Sequence, residues 1–294
     1  MKDPGKDAAT LERSAKLRGF YARSLARSDG DPRIEQAFAT VPREPFAGPA
    51  PWYIARSGAG DAYVRTPDGD PAFLYQNVLV ALDHERGINI GQPSLHALCL
   101  DALAVREGES VVQVGAGSGY YTAIIAELVG PTGHVDAFEI DPGLAARATA
   151  NLAGWPQVAV HARSGIAEDL PKADAIYVNA GITQPSWAWL DTLRPRGRLL
   201  FPLQWEGGLG GMLLVHKPPG GGLAWPARFV SRAKFIACQG RQDTETGRRL
   251  AVAFDGGGWD KVKSLRLNKK PDDTCWFKGD DWWLSTAPVQ DQPA

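Results

Sequence analysis

Cysteine, long apolar runs and a surplus of charge of either sign are all scarce in this chain of 294 residues, and each scarcity removes a class of protein. The three cysteines, Cys99, Cys238 and Cys275, are odd in number and far apart, with no CxxC pair and no histidine cluster beside them. Neither a disulfide framework nor a metal site is expected, and the cysteines read as reduced structural thiols. No segment approaches the ~18 uninterrupted apolar residues of a membrane span. The first twenty residues mix charges throughout, so no signal peptide is expected and the cytoplasm is the expected compartment. Thirty-two basic against thirty-three acidic residues leave a formal charge of -1, which gives no global field toward nucleic acid or an anionic membrane.

What is present is an ordinary globular composition, 44% hydrophobic and 22% charged, enough to bury a full core. No internal repeat is visible. From Glu109 onward short apolar runs alternate with helical stretches, the pattern of parallel strands joined by crossover helices. The strand candidates are Ser110–Val114, His134–Glu139, Val158–Ala162, Ala173–Val178, Arg198–Pro202 and Met212–His216. Helices are expected over Tyr121–Val129, Pro142–Asn151 and Pro185–Leu193, the second with Asp141 as its N-cap. Asp31–Val41 has helical spacing, and the four prolines between Val41 and Trp52 argue against regular structure after it. The organisation read from this is an N-terminal helical, substrate-side region over 1–107, an α/β Rossmann-like core over 108–240, and a tryptophan-rich extension over 241–294. The extension is expected to add strands or a cap and to be packed as core, with a substrate lid and a dimer contact as the other readings.

The stretch 111–119, VVQVGAGSG, places Gly115, Gly117 and Gly119 between a strand and a helix, with Ala116 and Ser118 between them. Glycine is required where the chain turns tightly and a ligand approaches the backbone. Twenty-four residues beyond Gly115 the next strand ends in Glu139, followed by Ile140, where a carboxylate can accept both hydroxyls of a ribose. A dinucleotide fold would show GxGxxG. GxGxG with an acidic strand end is the arrangement usual for S-adenosylmethionine, and cofactor binding is preferred here over a plain tight turn.

Several motifs in order resemble the protein-L-isoaspartate O-methyltransferases over residues 31 to 240: Asp31-Pro-Arg-Ile with Val41-Pro-Arg-Glu-Pro-Phe46, then Tyr75 and Asn89–Ala97 (NIGQPSLHA), the glycine loop, Ala173–Gly181 (ADAIYVNAG) and Leu193–Pro202 (LRPRGRLLFP). The resemblance implies an S-adenosylmethionine-dependent enzyme that esterifies isoaspartyl or aspartyl carboxylates of proteins or of a dedicated peptide. It also implies a swapped strand order at the C-terminal sheet edge. It further places Asn89, Gly91, Gln92 and Ser94 on the substrate side, and Gln92, Pro93, Ser164, Gly165 and Asn179 with the glycine loop, Glu139 and Ile140 at the cofactor. Two positions depart from the family pattern. Its Thr-Ile-Ser before the Gln-Pro is here Asn89-Ile90-Gly91, and its Gly-Asp-Gly after the third strand is Arg163-Ser164-Gly165, which shifts adenine contact to the Ser164 hydroxyl or to backbone groups.

A carboxylate is already ionised at pH 7, so methylation needs positioning and desolvation rather than a general base. His96 therefore reads as a structural residue, and Arg228, Arg232 and Lys234 as a solvated face. Tyr120 and Tyr121 either border the cofactor or pack beneath their helix. A small-molecule methyltransferase and a non-catalytic S-adenosylmethionine-binding module are the competing functions.

Overall fold

Proline and capping carboxylates start most of the helices. The computed structural model describes residues 4–55, 62–166, 169–239 and 243–289, and the expected boundary at 240/241 lies outside them. In chain order the first elements are helices α1 (Pro4–Leu25), α2 (Pro32–Thr40) and α3 (Glu44–Ala47), strands β1 (Tyr53–Ala55), β2 (Val64–Arg65), β3 (Leu79–Asp83) and β4 (Ile88–Asn89), and helix α4 (Pro93–Leu103). Next come β5 (Ser110–Val114), α5 (Tyr120–Val129), β6 (His134–Phe138), α6 (Pro142–Asn151), β7 (Val158–His161), β8 (Ala173–Val178), α7 (Trp187–Thr192) and β9 (Leu193–Leu203). The chain continues through β10 (Gly210–His216), β11 (Ala224–Ala233), α8 (Thr244–Asp255), β12 (Ser264–Arg266), β13 (Cys275–Lys278) and β14 (Trp283–Ser285). Asp31 and Asp141 cap α2 and α6 by accepting from Arg33 N and from Gly143 N and Leu144 N, with proline in each first turn. No helix among the described residues is long and apolar enough to cross a membrane.

The chain forms two compact units, residues 1–108 with 116–163 and residues 109–115 with 164–294. The first unit holds α1 to α6, the parallel pair β6–β7, and a small antiparallel sheet in the order β2-β1-β3-β4. Its core gathers Tyr21, Phe38, Phe46, Tyr75, Tyr120 and Tyr121 edge to face, with ring centroids 5.0 to 6.4 Å apart. Arg43 lies fully buried among them, over the rings of Tyr21 and Tyr120, and donates to the carbonyls of Leu74, Gln76 and Val78. Arg43→Ala orphans those three carbonyls and opens a cavity, so a loss of about 3 kcal/mol or more is expected in urea unfolding. The prolines after Val41 do not exclude regular structure as expected. Pro45 sits in the first turn of α3, where a missing N–H breaks no hydrogen bond.

In the second unit the strand order is β13-β14-β12-β11-β10-β9-β8-β5. β5, β8 and β9 run parallel, and every later pairing is antiparallel. At this edge β9, β10 and β11 follow in chain order. Strand β9 begins five residues earlier than expected, at Leu193 rather than Arg198, and this shortens the preceding helix to Trp187–Thr192. Buried Arg198 pairs with Glu109, donating to Oε1 at 2.9 Å. The extension adds three strands, as expected, and also α8, which the sequence reading passed over. That helix buries Thr246, Leu250 and Phe254, four residues apart, on one face. Phe254, Phe229 and Trp276 meet edge to face at 5.2 to 5.6 Å. Arg228 and Lys234 face solvent, whereas Arg232 lies 4.7 Å from the Phe254 ring centroid rather than on an open face.

Candidate cofactor and acceptor site

The glycine loop is built by backbone conformations that side chains disfavour. Gly115, Gly117 and Gly119 have φ of +81°, +58° and +94°, and a Cβ on Gly119 would lie 2.8 Å from Leu152 Cδ1. In the first unit, Glu139 is buried at the end of β6. Its Oε2 accepts from Gly117 N at 2.7 Å and its Oε1 from Asp141 N at 2.9 Å. A carboxylate has about four lone-pair sites, so two remain for hydroxyls. Ile140 beside it is an exposed large apolar side chain, 47% accessible, suited to cover a flat base. Ser118 lies within the loop with a buried Oγ that has no hydrogen-bond partner among the described residues. In the second unit, Gly115 packs against Asn179, whose Oδ1 accepts from Gln113 Nε2 at 2.9 Å while its own buried Nδ2 has no partner among the described residues. Gly181, two residues on, lies so close to buried Gln204 that a Cβ there would collide with it, and Gln204 is itself held by the backbone of Phe235. Ser164 Oγ accepts from Ile166 N, and the carbonyl of Gly165 accepts from Trp189 Nε1 at 2.8 Å. The side-chain-free turn at Gly117 and a buried carboxylate with acceptor capacity, both in the first unit, fit the ribose of a nucleoside.

The loop Asn89 to Ser94 belongs to the first unit, and three contacts join it and the β3–β4 hairpin to elements around the glycine loop. Leu82 of β3, the strand that pairs with β4, reaches within 3.4 Å of a Cβ position on Gly117. Arg86, in the β3–β4 turn, donates to Asp141 Oδ2 at 2.8 Å. The Tyr121 hydroxyl donates to the carbonyl of Gly91 at 3.3 Å. Asn89 Oδ1 accepts from Gly91 N, closing a side-chain turn. Gln92 is the N-cap of α4 and donates to Ser94 Oγ, Pro93 opens the helix, and Ser94 N donates to Asn77 Oδ1. Tyr120 and Tyr121 are buried in the aromatic core beneath α5.

His96, read from the sequence as a structural residue, is buried as such a residue would be. It is 2% exposed, stacked on Tyr121 with ring centroids 3.6 Å apart and 9° between planes. Gly91 has φ +93°, and a Cβ on it would collide with His96 Nε2, with Cδ2 only 3.0 Å away. The one sequence signal was a glycine five residues before the histidine, with no indication that the two touch. Burial, and then the nearby Arg43 guanidinium, pull the imidazole pKa from 6.5 down to about 3. The unfolded chain therefore takes up a proton near pH 6.5 that the folded chain refuses until about pH 3. Stability from His96 is full above pH 6.5 and falls as pH drops through that window, by roughly 2 kcal/mol at pH 5. Urea denaturation at pH 7 and pH 5 should show this loss in the wild type and a smaller one in His96→Phe.

Such a glycine loop and acidic strand end, set in this arrangement of strands and helices, define a Rossmann-like α/β methyltransferase fold. The chain matches the family model of protein-L-isoaspartate(D-aspartate) O-methyltransferase over residues 63–221, and it belongs to that family. A protein-L-isoaspartate O-methyltransferase 2 from Anaeromyxobacter sp. is 33% identical over 236 residues, 77% of this chain and 86% of that one. One from Archaeoglobus fulgidus is 31% identical over 198 residues, 64% of this chain and 78% of its own. Among solved structures, a protein-L-isoaspartate O-methyltransferase superposes with a TM-score of 0.64 at 19% identity, covering 91% of this chain and 87% of that chain. A Plasmodium falciparum beta-aspartate methyltransferase (PCMT) in complex with S-adenosyl-L-homocysteine gives 0.57 at 18% identity, over 76% of this chain and 97% of its own.

Proposed function

We propose that this chain transfers a methyl group from S-adenosylmethionine to the carboxylate of an isoaspartyl residue in proteins or peptides. Family membership supports the reaction type, and the observation that carries the cofactor assignment is Glu139, buried and held by Gly117 N and Asp141 N with acceptor sites to spare. The cofactor, when bound, supplies a sulfonium methyl that passes to a carboxylate oxygen as the electrons of the broken C–S bond return to sulfur. The glycines admit it to the backbone, Glu139 takes its ribose hydroxyls, and Ile140 covers its base. The amide of Asn179 and the hydroxyls of Ser118 and Ser164 supply the remaining polar contacts. Asn89, Gly91, Gln92 and Ser94 form the acceptor wall and exclude water from the line of transfer. No group needs to act as a base, because the acceptor is ionised well above its pKa near ~4. This agrees with a loop that holds amides, a hydroxyl and bare backbone but no carboxylate.

The acceptor is a polypeptide, and neither nucleic acid nor membrane has a part in the reading. The test is base-labile methyl ester formation from labelled S-adenosylmethionine on matched peptides carrying isoaspartate, aspartate or neither. Selective labelling of the isoaspartyl peptide is the expected result. Confirmed cofactor binding with no peptide labelled would remove the repair-type reading and leave a dedicated acceptor or a silent module.

A further inference from the structure

Glu139 is a buried carboxylate fixed by two backbone donors, and the β3–β4 hairpin touches both of the residues that supply them. All of these residues lie in the first unit. Leu82 Cδ1 is 3.4 Å from a Cβ position on Gly117, whose N–H holds Glu139 Oε2 at 2.7 Å. Four residues further on, at the hairpin tip, Arg86 Nη1 donates at 2.8 Å to Oδ2 of Asp141, whose N–H holds Glu139 Oε1 at 2.9 Å. The other side-chain oxygen of Asp141 is taken up by the start of α6, accepting from Gly143 N and Leu144 N. Asp141 therefore joins the helix start, the hairpin tip and, through its own main chain, the buried carboxylate. The tip is braced in turn, because His84 stacks flat on Tyr53 of β1 with ring centroids 3.9 Å apart and 5° between planes, and Arg86 N donates to Asp83 Oδ1. The hydrogen bond to Asp141, followed by the charges of Asp141, Asp83 and Glu139, raises the Arg86 pKa above the ordinary arginine value, so the guanidinium stays charged at every working pH.

We infer that Arg86 is a positioning residue of the cofactor site, holding the 139–141 turn so that the free lone pairs of Glu139 stay aimed at the ribose hydroxyls. The plane of a carboxylate held by two N–H groups is set by both. If Asp141 drifts, the Glu139 carboxylate is held from the Gly117 side alone and can turn about its last bond, which takes one hydroxyl-accepting position out of line. Arg86 acts on the nucleoside only through Asp141, and its ion pair is half-exposed, with side-chain accessibilities of 53% for Arg86 and 21% for Asp141. Such a pair adds little to the stability of a fold, so recognition of the ribose hydroxyls is the diagnostic readout. The inference rests on the reading of Glu139 as the ribose partner, and the test separates the two.

The experiment titrates the full chain with S-adenosyl-L-homocysteine and with its 2′-deoxy and 3′-deoxy analogues by calorimetry, in wild type, Arg86→Ala, Arg86→Lys, Asp141→Asn, the double variant Arg86→Ala/Asp141→Asn, and Glu139→Gln. The ratio of the Kd of each deoxy analogue to that of the parent measures how much a hydroxyl contributes. Arg86→Ala should raise the parent Kd about three- to fivefold, the size a half-exposed ion pair can supply, and lower at least one deoxy ratio by a similar factor. Its thermal midpoint should stay within about 3 °C of wild type. Asp141→Asn keeps the helix-capping oxygen and should match Arg86→Ala, with the double variant no worse than either, because all three lose the same pair. Arg86→Lys keeps the charge and should stay within twofold of wild type. S-adenosyl-L-homocysteine carries no net charge, so the wild-type affinity should weaken between about 0.05 M and about 0.5 M NaCl through the ion pair, and that weakening should be absent from Arg86→Ala. Unchanged deoxy ratios in folded Arg86→Ala, or losses that add in the double variant, would overturn the inference and leave the function intact. Wild-type ratios in Glu139→Gln would place the ribose elsewhere and overturn the site reading as well.

Discussion

Gly91→Ser lowers isoaspartyl methylation rather than raising it. The resemblance alone invites the opposite expectation, since the family pattern carries a serine at this place and its return would seem to restore a missing hydroxyl. Two physical terms oppose it. A residue with a Cβ held at φ +93° costs about 1–2 kcal/mol relative to glycine. Forcing its side chain into the ring of His96, which is locked by Tyr121 and the buried core, adds about 1–3 kcal/mol of overpacking. The thermal midpoint should fall by roughly 5–10 °C. Because the turn must reshape to relieve the collision, isoaspartyl kcat/KM should fall at least tenfold. Differential scanning fluorimetry beside the peptide assay reads both effects. A gain in activity with an unchanged midpoint would mean that the turn adapts freely and that only a hydroxyl was lacking.

Glu139→Ala should abolish measurable cofactor binding at concentrations that saturate the wild type. The substitution leaves the N–H groups of Gly117 and Asp141 without their acceptors and removes the partner of the ribose hydroxyls. A hydrogen bond to a charged group is worth about 1.5–3 kcal/mol, so losing both ribose contacts should lower affinity for S-adenosyl-L-homocysteine by at least on the order of 100-fold by calorimetry. Glu139→Gln keeps the shape and one acceptor oxygen but turns an NH2 toward one of the two backbone donors, and it should fall between the two. Ligand at 100 times Kd stabilises a protein by about 2.7 kcal/mol, so the thermal shift of the wild type on ligand addition should vanish in Glu139→Ala. Retention of affinity within threefold would place the ribose elsewhere.

The glycine loop and the acidic strand end were the more legible features because their physics is local. A GxGxG run after an apolar strand needs only neighbours in sequence to turn, and Glu139 follows at the next strand end for the same reason. The acceptor half depends on contacts that spacing does not encode. His96 read as an ordinary structural histidine, and it is buried like one, but its position against Gly91 depends on how α4 leaves Pro93 and how Tyr121 stacks behind it. Helix α8 is not legible from the sequence because its buried positions, Thr246, Leu250 and Phe254, are mixed in character and mark a face only once β10 and β11 are present beneath it. The turn at Pro45 was read from proline's effect inside a helix, when at a helix start the same residue is tolerated.

By itself the sequence determined the α/β class, the alternation of strand and helix from Ser110 to His161, the glycine turns and the acidic strand end, all set by backbone sterics and short-range periodicity. Tertiary structure alone decided that Arg43 is buried among tyrosines, that Asn179 and Ser118 keep polar atoms unpartnered among the described residues, and that the side-chain space of Gly91 belongs to His96. Those depend on which distant residues share a volume, and close packing, unlike periodicity, is a property of the folded interior and not of the order of residues along the chain.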